Sequence, residues 1–237
     1  MKRLARYKNK PVLIAESAVN SMYHSLIRYP MIQAYADDVY GGQGSPTRKK
    51  HDAHTKKGRF GFVPMHGAST ILNALDAALF IVRESFDIDM MTHPTAVDAG
   101  CGCGNILPLF GIAGFHPVGL ELEVSSIKIA KEFLKGSWPS AKVKRVDIIK
   151  HDYKPYEVVY FFNPLSDRRL EHLFELQVLK TMRPGAVAIG AFSGSIFNSA
   201  MLTAADCVSV KQFGSVRLYV KERELTDKEL RDTASRW

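Results

Sequence analysis

The chain has 237 residues, 46% of them hydrophobic and 24% charged, a composition that excludes a disordered or fibrous protein and suffices for one sizeable core. Its net charge of +8 is concentrated in one region: 12 of the 32 Lys and Arg but only 4 of the 24 Asp and Glu fall in residues 1–60, and the rest of the chain holds 20 of each. Three cysteines, Cys101, Cys103 and Cys207, are too few and too unevenly spaced for a disulfide framework, which predicts a reducing, cytoplasmic setting, and no apolar run of about 18 or more residues predicts a membrane span.

From the start, apolar residues between Pro11 and Met31 recur at helical spacing and predict one or two helices, which Gly41-Gly42-Gln43-Gly44-Ser45-Pro46 ends. The polar run Arg48–Arg59 follows. Residues 1–66 therefore read as a basic N-terminal extension, either a solvated segment or a contact surface for an acidic macromolecule such as nucleic acid or protein, and residues 67–237 read as the main domain. Residues 69–86 carry the strongest helix pattern, with Ser69 or Thr70 as N-cap. Short β-rich runs then follow at 96–99, 117–122, 143–149, 158–162, 186–192, 207–211 and 216–220, separated by helical segments near 105–112, 125–135, 167–182 and 195–204. This alternation predicts an α/β fold, a doubly wound, mostly parallel seven-stranded sheet. Its last two strands are too close in sequence for a crossover helix and should form an antiparallel hairpin at or near the edge. The charged tail from Thr226 reads as helical or frayed.

The most informative segment is Asp98-Ala99-Gly100-Cys101-Gly102-Cys103-Gly104-Asn105, where an apolar strand ends in an acid and three alternate glycines. Glycine there permits positive φ and lets a ligand lie against bare backbone, with the amides of the following helix start beside it. A dinucleotide fingerprint would need a third glycine at position 105, where this chain has Asn. Asp98 to Gly104 instead resembles the D/E-x-G-x-G-x-G motif of class I S-adenosylmethionine-dependent methyltransferases. The resemblance implies a Rossmann-like methyltransferase fold and S-adenosyl-L-methionine as cofactor, with S-adenosylhomocysteine as its product. The glycine loop of Gly100, Gly102 and Gly104 would pack on the methionine part and ribose, Asp98 would organise the pocket near the ammonium group, and Asn105 would stand near the carboxypropyl tail.

A second strand ends Gly119-Leu120-Glu121-Leu122-Glu123, 17 residues after Gly104 at its first acid. A carboxylate there can accept from both ribose hydroxyls, and Glu121 matches the family's position, with Glu123 the alternative. By the same resemblance Asp147 would receive the adenine amino group and Ile148 would cover the ring, with Asp152 competing. Beyond the fourth strand, Asn163-Pro164-Leu165-Ser166 partly resembles the [N/D/S]-P-P-aromatic motif of amino-group methylases, in which the Asn side chain and a backbone carbonyl hold the target NH₂. Leu165 and Ser166 depart from that motif, so an adenine-N6-type target does not follow; Asn163 and Pro164 remain the catalytic candidates. Upstream, His66 lies in a loop that could close over the pocket. Cys101 and Cys103 lack the partners of a zinc site, and nucleophile-elbow and P-loop patterns are missing from the sequence. The functional reading is methyl transfer to a macromolecular acceptor; the alternative is a non-catalytic cofactor-binding subunit of the same fold.

Overall fold

The computed structural model describes residues 68–84, 94–165, 167–191, 200–214 and 216–236. The basic extension and His66 lie outside the described residues. Seven strands, β1 (Thr95–Ala99), β2 (His116–Glu121), β3 (Lys142–Arg145), β4 (Val158–Phe162), β5 (Val187–Ala191), β6 (Val208–Phe213) and β7 (Val216–Lys221), join in one sheet. Between and around them run α1 (Ala68–Glu84), α2 (Leu107–Ile112), α3 (Val124–Ser137), α4 (Arg168–Thr181), α5 (Ala200–Ala204) and α6 (Asp227–Ser235). The strand order is β3-β2-β1-β4-β5-β7-β6. The first five strands pair in parallel, and β7 runs antiparallel to both β5 and β6.

Strands β4 and β5 are buried along their whole length, as parallel strands covered by helices on both faces must be. Successive residues feed opposite cores. Ala96, Val158, Tyr160 and Ile189 pack with α1 and α2, while Val97, Val159, Phe161 and Ala188 pack with Phe174, Val178 and Leu179 of α4. By that alternation Asp98 falls on the α1–α2 side, an acid within an otherwise apolar face. The sheet reverses its winding direction at β1, which lies between β2 and β4, and a doubly wound sheet opens its binding crevice at such a switch point.

Several boundaries differ from those the sequence predicts. The third strand stops at Arg145 instead of Ile149: the Val146 amide still donates to the Glu121 carbonyl (3.0 Å), but Asp147 Oδ1 then accepts from the Ile149 amide (3.1 Å), an Asx-type turn that ends the strand. Helix α2 begins at Leu107, with Pro108 in its first turn, because Gly104, Asn105 and Ile106 form the turn ahead of it. Part of the segment predicted as helical from 195 lies outside the described residues; its remainder is α5. The final hairpin forms, but its second strand, β7, sits inside, between β5 and β6. The reason is apolarity. β7 buries most of its residues, whereas β6 exposes Ser209, Val210, Lys211 and Gln212, and the polar strand with a lysine suits an edge. The tail folds into α6, started by a complete capping box between Thr226 and Glu229.

Gly119 has no room for a side chain: a Cβ there would lie 2.6 Å from Cys101 Sγ and 3.0 Å from Leu107 Cδ1. Gly119→Ala should therefore lower the free energy of unfolding by about 1–3 kcal/mol, the usual cost of overpacking, measured by urea denaturation.

Candidate functional site

The site forms where the C-terminal ends of β1, β2 and β4 meet. After Ala99 the chain turns through Gly100, Gly102 and Gly104, all at positive φ (80°, 50° and 75°). The amides of Gly100 and Cys101 both donate to the Leu120 carbonyl (2.8 and 3.0 Å), and that of Gly104 donates to the Cys101 carbonyl (2.8 Å). Much of the loop's donor capacity is thus turned inward, so what it offers a ligand is close approach to backbone. Each glycine with a mapped surrounding has its own use. A Cβ on Gly100 would lie 2.7 Å from Pro164 Cβ, and one on Gly104 would press on Ala130 and Leu134 of α3 at 3.3 and 3.4 Å. The glycine loop therefore rests directly against the candidate acceptor turn.

Glu121, 9% exposed, is fixed by three backbone amides: Leu122 and Glu123 donate to Oε1 (2.7 and 2.9 Å) and Gly102 donates to Oε2 (3.0 Å). These bonds lock the carboxylate in one orientation and tie the end of β2 to the middle of the glycine loop. Burial raises its pKa, and the three amides pull the other way without cancelling the rise. Asp98, 2% exposed, is one Cα partner across from Gly119, and burial together with the nearby Glu121 charge holds its carboxyl well above the usual carboxylate range. The arrangement is two buried acids beside bared backbone, which favours a cationic, hydroxyl-bearing ligand.

The structure also separates the candidates that the sequence left open. The second strand ends at Glu121, so Glu123 does not share its orientation; Glu123 is the N-cap of α3, accepting from the Ser125 amide and hydroxyl (3.1 and 2.9 Å). Asp147 lies just beyond β3 at the rim, half-buried, with Lys150 3.6 Å away, while Asp152 is exposed and accepts from the Lys154 amide (3.0 Å). Ile148 is buried in the α4-side core, and its carbonyl accepts from the Tyr153 hydroxyl (2.8 Å). Asn105 is half-buried in the turn before α2. Asn163 has φ of 39°, and among the described residues it is the one non-glycine in the left-handed region. Asn tolerates that region better than most residues, and strain of this kind gathers where a chain must present groups at a site.

Sequence reasoning missed two acids here. Glu171 and Glu175 of α4 are four residues apart; Glu171 Oε2 accepts from the Leu165 amide (3.2 Å) and Glu175 Oε2 from the Met201 amide (2.8 Å). The signal was legible as acids set within the stripe of Phe174, Val178 and Leu179, where a solvated carboxylate has no place.

No family profile matches the sequence, and no curated protein matches it. Among solved structures the chain superposes on a protein from Methanococcus maripaludis assigned as an S-adenosyl-L-methionine-dependent methyltransferase, with a TM-score of 0.52 at 10% identity over 76% of this chain and 94% of that one. It is also similar to an RNA methyltransferase from Salinibacter ruber in complex with S-adenosyl-L-homocysteine, at TM-score 0.48 and 17% identity over 70% and 97% of the two chains. Likeness at these identities is likeness of fold. Strand order, the antiparallel β7 and the first of these superpositions define the Rossmann-like fold of S-adenosylmethionine-dependent methyltransferases.

The raised Asp98 carboxyl has a consequence for stability. The unfolded chain loses this proton near pH 4 but the folded chain keeps it to higher pH, so the stabilisation is full below about pH 4 and declines as pH rises toward the folded value. Asp98→Asn cannot ionise, and its thermal midpoint should fall less between about pH 5 and pH 8 than that of the wild type, with Glu121 supplying the slope that remains.

Proposed function

We propose that this protein is a methyltransferase that binds S-adenosylmethionine against the glycine loop and transfers its methyl group to a macromolecular acceptor placed over the ends of β4 and β5. The observation that carries the reading is the meeting of buried Asp98 and Glu121 with three positive-φ glycines at the switch point of the sheet. These residues fit the cofactor. Asp98 faces a region of low polarity in which a ligand ammonium would relieve its raised pKa, and Glu121 offers a preset carboxylate to a ribose. A carboxylate has about four acceptor positions, and backbone amides take three of Glu121's, so one hydroxyl can bond without rearrangement and a second would compete with the Gly102 amide. When bound, S-adenosylmethionine supplies a methyl group already activated by its sulfonium.

The chain's contribution is then placement. Pro164 against Gly100 sets the spacing between the cofactor loop and the acceptor turn, and Asn163, next to Pro164 and in its left-handed conformation, is the candidate for holding the acceptor. Asp147, just beyond β3, is the candidate for the adenine amino group and Asn105 that for the carboxypropyl tail, whereas Ile148, buried in the α4-side core, is not placed to cover the ring.

Support for a polyanionic or acidic acceptor comes from charge. Residues 61–237 balance 20 cations against 20 anions, but the balance is uneven in space: Lys142, Lys144 and Arg145 on edge strand β3 and Lys128, Lys131 and Lys135 on α3 are all exposed on one flank of the sheet. Lysines on an edge strand also block strand pairing, so they serve in either case. The basic extension in residues 1–60 would add to the same attraction.

Calorimetric titration should show binding of S-adenosylmethionine and S-adenosylhomocysteine, weakened by about 1–3 kcal/mol in Glu121→Ala, the scale of leaving such partners unpaired. Incubation with methyl-labelled cofactor and separated nucleic-acid, protein and small-molecule fractions should label a macromolecular fraction. Binding without transfer to any fraction would instead indicate a non-catalytic subunit, and no binding of either compound overturns the proposal.

A further inference from the structure

Helix α4 places two carboxylates where apolar residues are expected. Glu175 is 2% exposed and Glu171 is half-buried one turn earlier, on a helix whose neighbouring buried residues are Phe174, Val178 and Leu179. Burying a carboxylate costs several kcal/mol even after relaxation, so a helix that served only to cover the sheet would be more stable with apolar residues at both positions. What the two acids do is hold main chain. Glu171 Oε2 takes the Leu165 amide, two residues past Asn163 and next to Pro164, which itself abuts Gly100. Glu175 Oε2 takes the Met201 amide at the start of α5, where the chain returns after β5. The first of these segments lies directly beyond the C-terminal end of β4, where Pro164 meets the glycine loop, whereas the second packs with α4, α6 and β6.

We propose that Glu171 is a positioning residue of the acceptor cleft, holding the Asn163–Leu165 turn against the glycine loop, while Glu175, one turn on, anchors the head of α5 to the same helix. The inference rests on the methyl-transfer reading for the meaning of the cleft, though not for the tethers themselves.

Titration of the pair gives it a distinctive signature. Burial and the Glu175 charge push Glu171 up to about 8, against the single Leu165 amide that lowers it. At neutral pH Glu171 thus keeps a proton, and ionising it would set a second negative charge beside Glu175, which favours releasing the turn into water. Other titratable groups stand around the pair. On α4 itself, His172 is influenced by Arg168, and Asp167 is occupied by the Arg169 and Leu170 amides. From β7, Tyr219 feels the Glu175 charge and Arg217 acts on Tyr219; α5 contributes no titratable side chain; and on α6 the charged residues are exposed apart from Glu229, which is engaged by Arg223 and Thr226.

The test is hydrogen–deuterium exchange of the full chain, with and without S-adenosylhomocysteine, following peptides that contain residues 163–165 and 200–204 across pH 7 to 9 after correction for intrinsic exchange. In the wild type, protection of the Leu165 region should fall about tenfold between pH 7 and pH 9, the factor set by the one pH unit below about 8, and level off above it, where both the tethered and the released carboxyl are ionised. Glu171→Gln, which keeps an acceptor but cannot ionise, should hold its protection at both ends of the range, whereas Glu171→Ala should lose it throughout. Glu175→Gln, by removing the neighbouring charge, should move the break in the wild-type profile to lower pH. A flat wild-type profile, or an unprotected Glu171→Gln, overturns the positioning role. If S-adenosylhomocysteine fails to bind while the break at residues 163–165 persists, the tether stands and the methyltransferase reading falls.

Discussion

The constraint on which the site depends lies around the end of β1, where neighbouring segments approach so closely that an extra carbon would clash or press on them. Gly119 accommodates Cys101, Gly100 accommodates Pro164, and Gly104 accommodates α3. Each contact joins the turn after β1 to a different element, so the loop is held from three sides by shape alone. Glu121 adds a fourth attachment through the Gly102 amide. The result is a backbone surface that is rigid before any ligand arrives, which lowers the entropy that binding must overcome.

That rigidity surrounds groups that would be better off elsewhere if stability were the sole criterion. Asp98 and Glu121 are both buried, both raised in pKa, and close enough for the charge of Glu121 to act on Asp98. On the other side of the sheet, Glu175 is buried and Glu171 half-buried, and burial with the Glu175 charge raises the pKa of Glu171. The two pairs differ in what they hold. The first sits beside the positive-φ glycines, with Glu121 tied to the Gly102 amide. The second directs its oxygens to main-chain amides of the segments after β4 and β5. One pair therefore suits ligand recognition and the other suits holding the frame around it.

How far the sequence could be read depended on how local each feature is. The glycine loop, its leading Asp98 and the strand-ending Glu121 are contiguous patterns, with residue type and position both visible in a few adjacent letters. The choice between Glu121 and Glu123 was not visible, because it turned on where β2 stops and α3 is capped. Ile148 read as the end of a strand, yet an Asx-type turn at Asp147 intervenes and its side chain joins the core. The hairpin was legible, but which of its strands takes the inner place followed from comparing the apolar content of β6 and β7 against a slot next to β5.

By itself, then, the sequence determined the class of fold and the position of the glycine turn after β1, because strand–helix alternation and conformational demands on glycine are properties of short segments. It also determined that excess positive charge lies before residue 60. Tertiary structure alone decided that Pro164 touches Gly100, that the cations of β3 and α3 share one flank, and that Glu171 and Glu175 reach two loops from one helix. Glu175 and Met201 are 26 positions apart and Gly100 and Pro164 are 64, and at such separations only the path of the packed chain sets which groups meet.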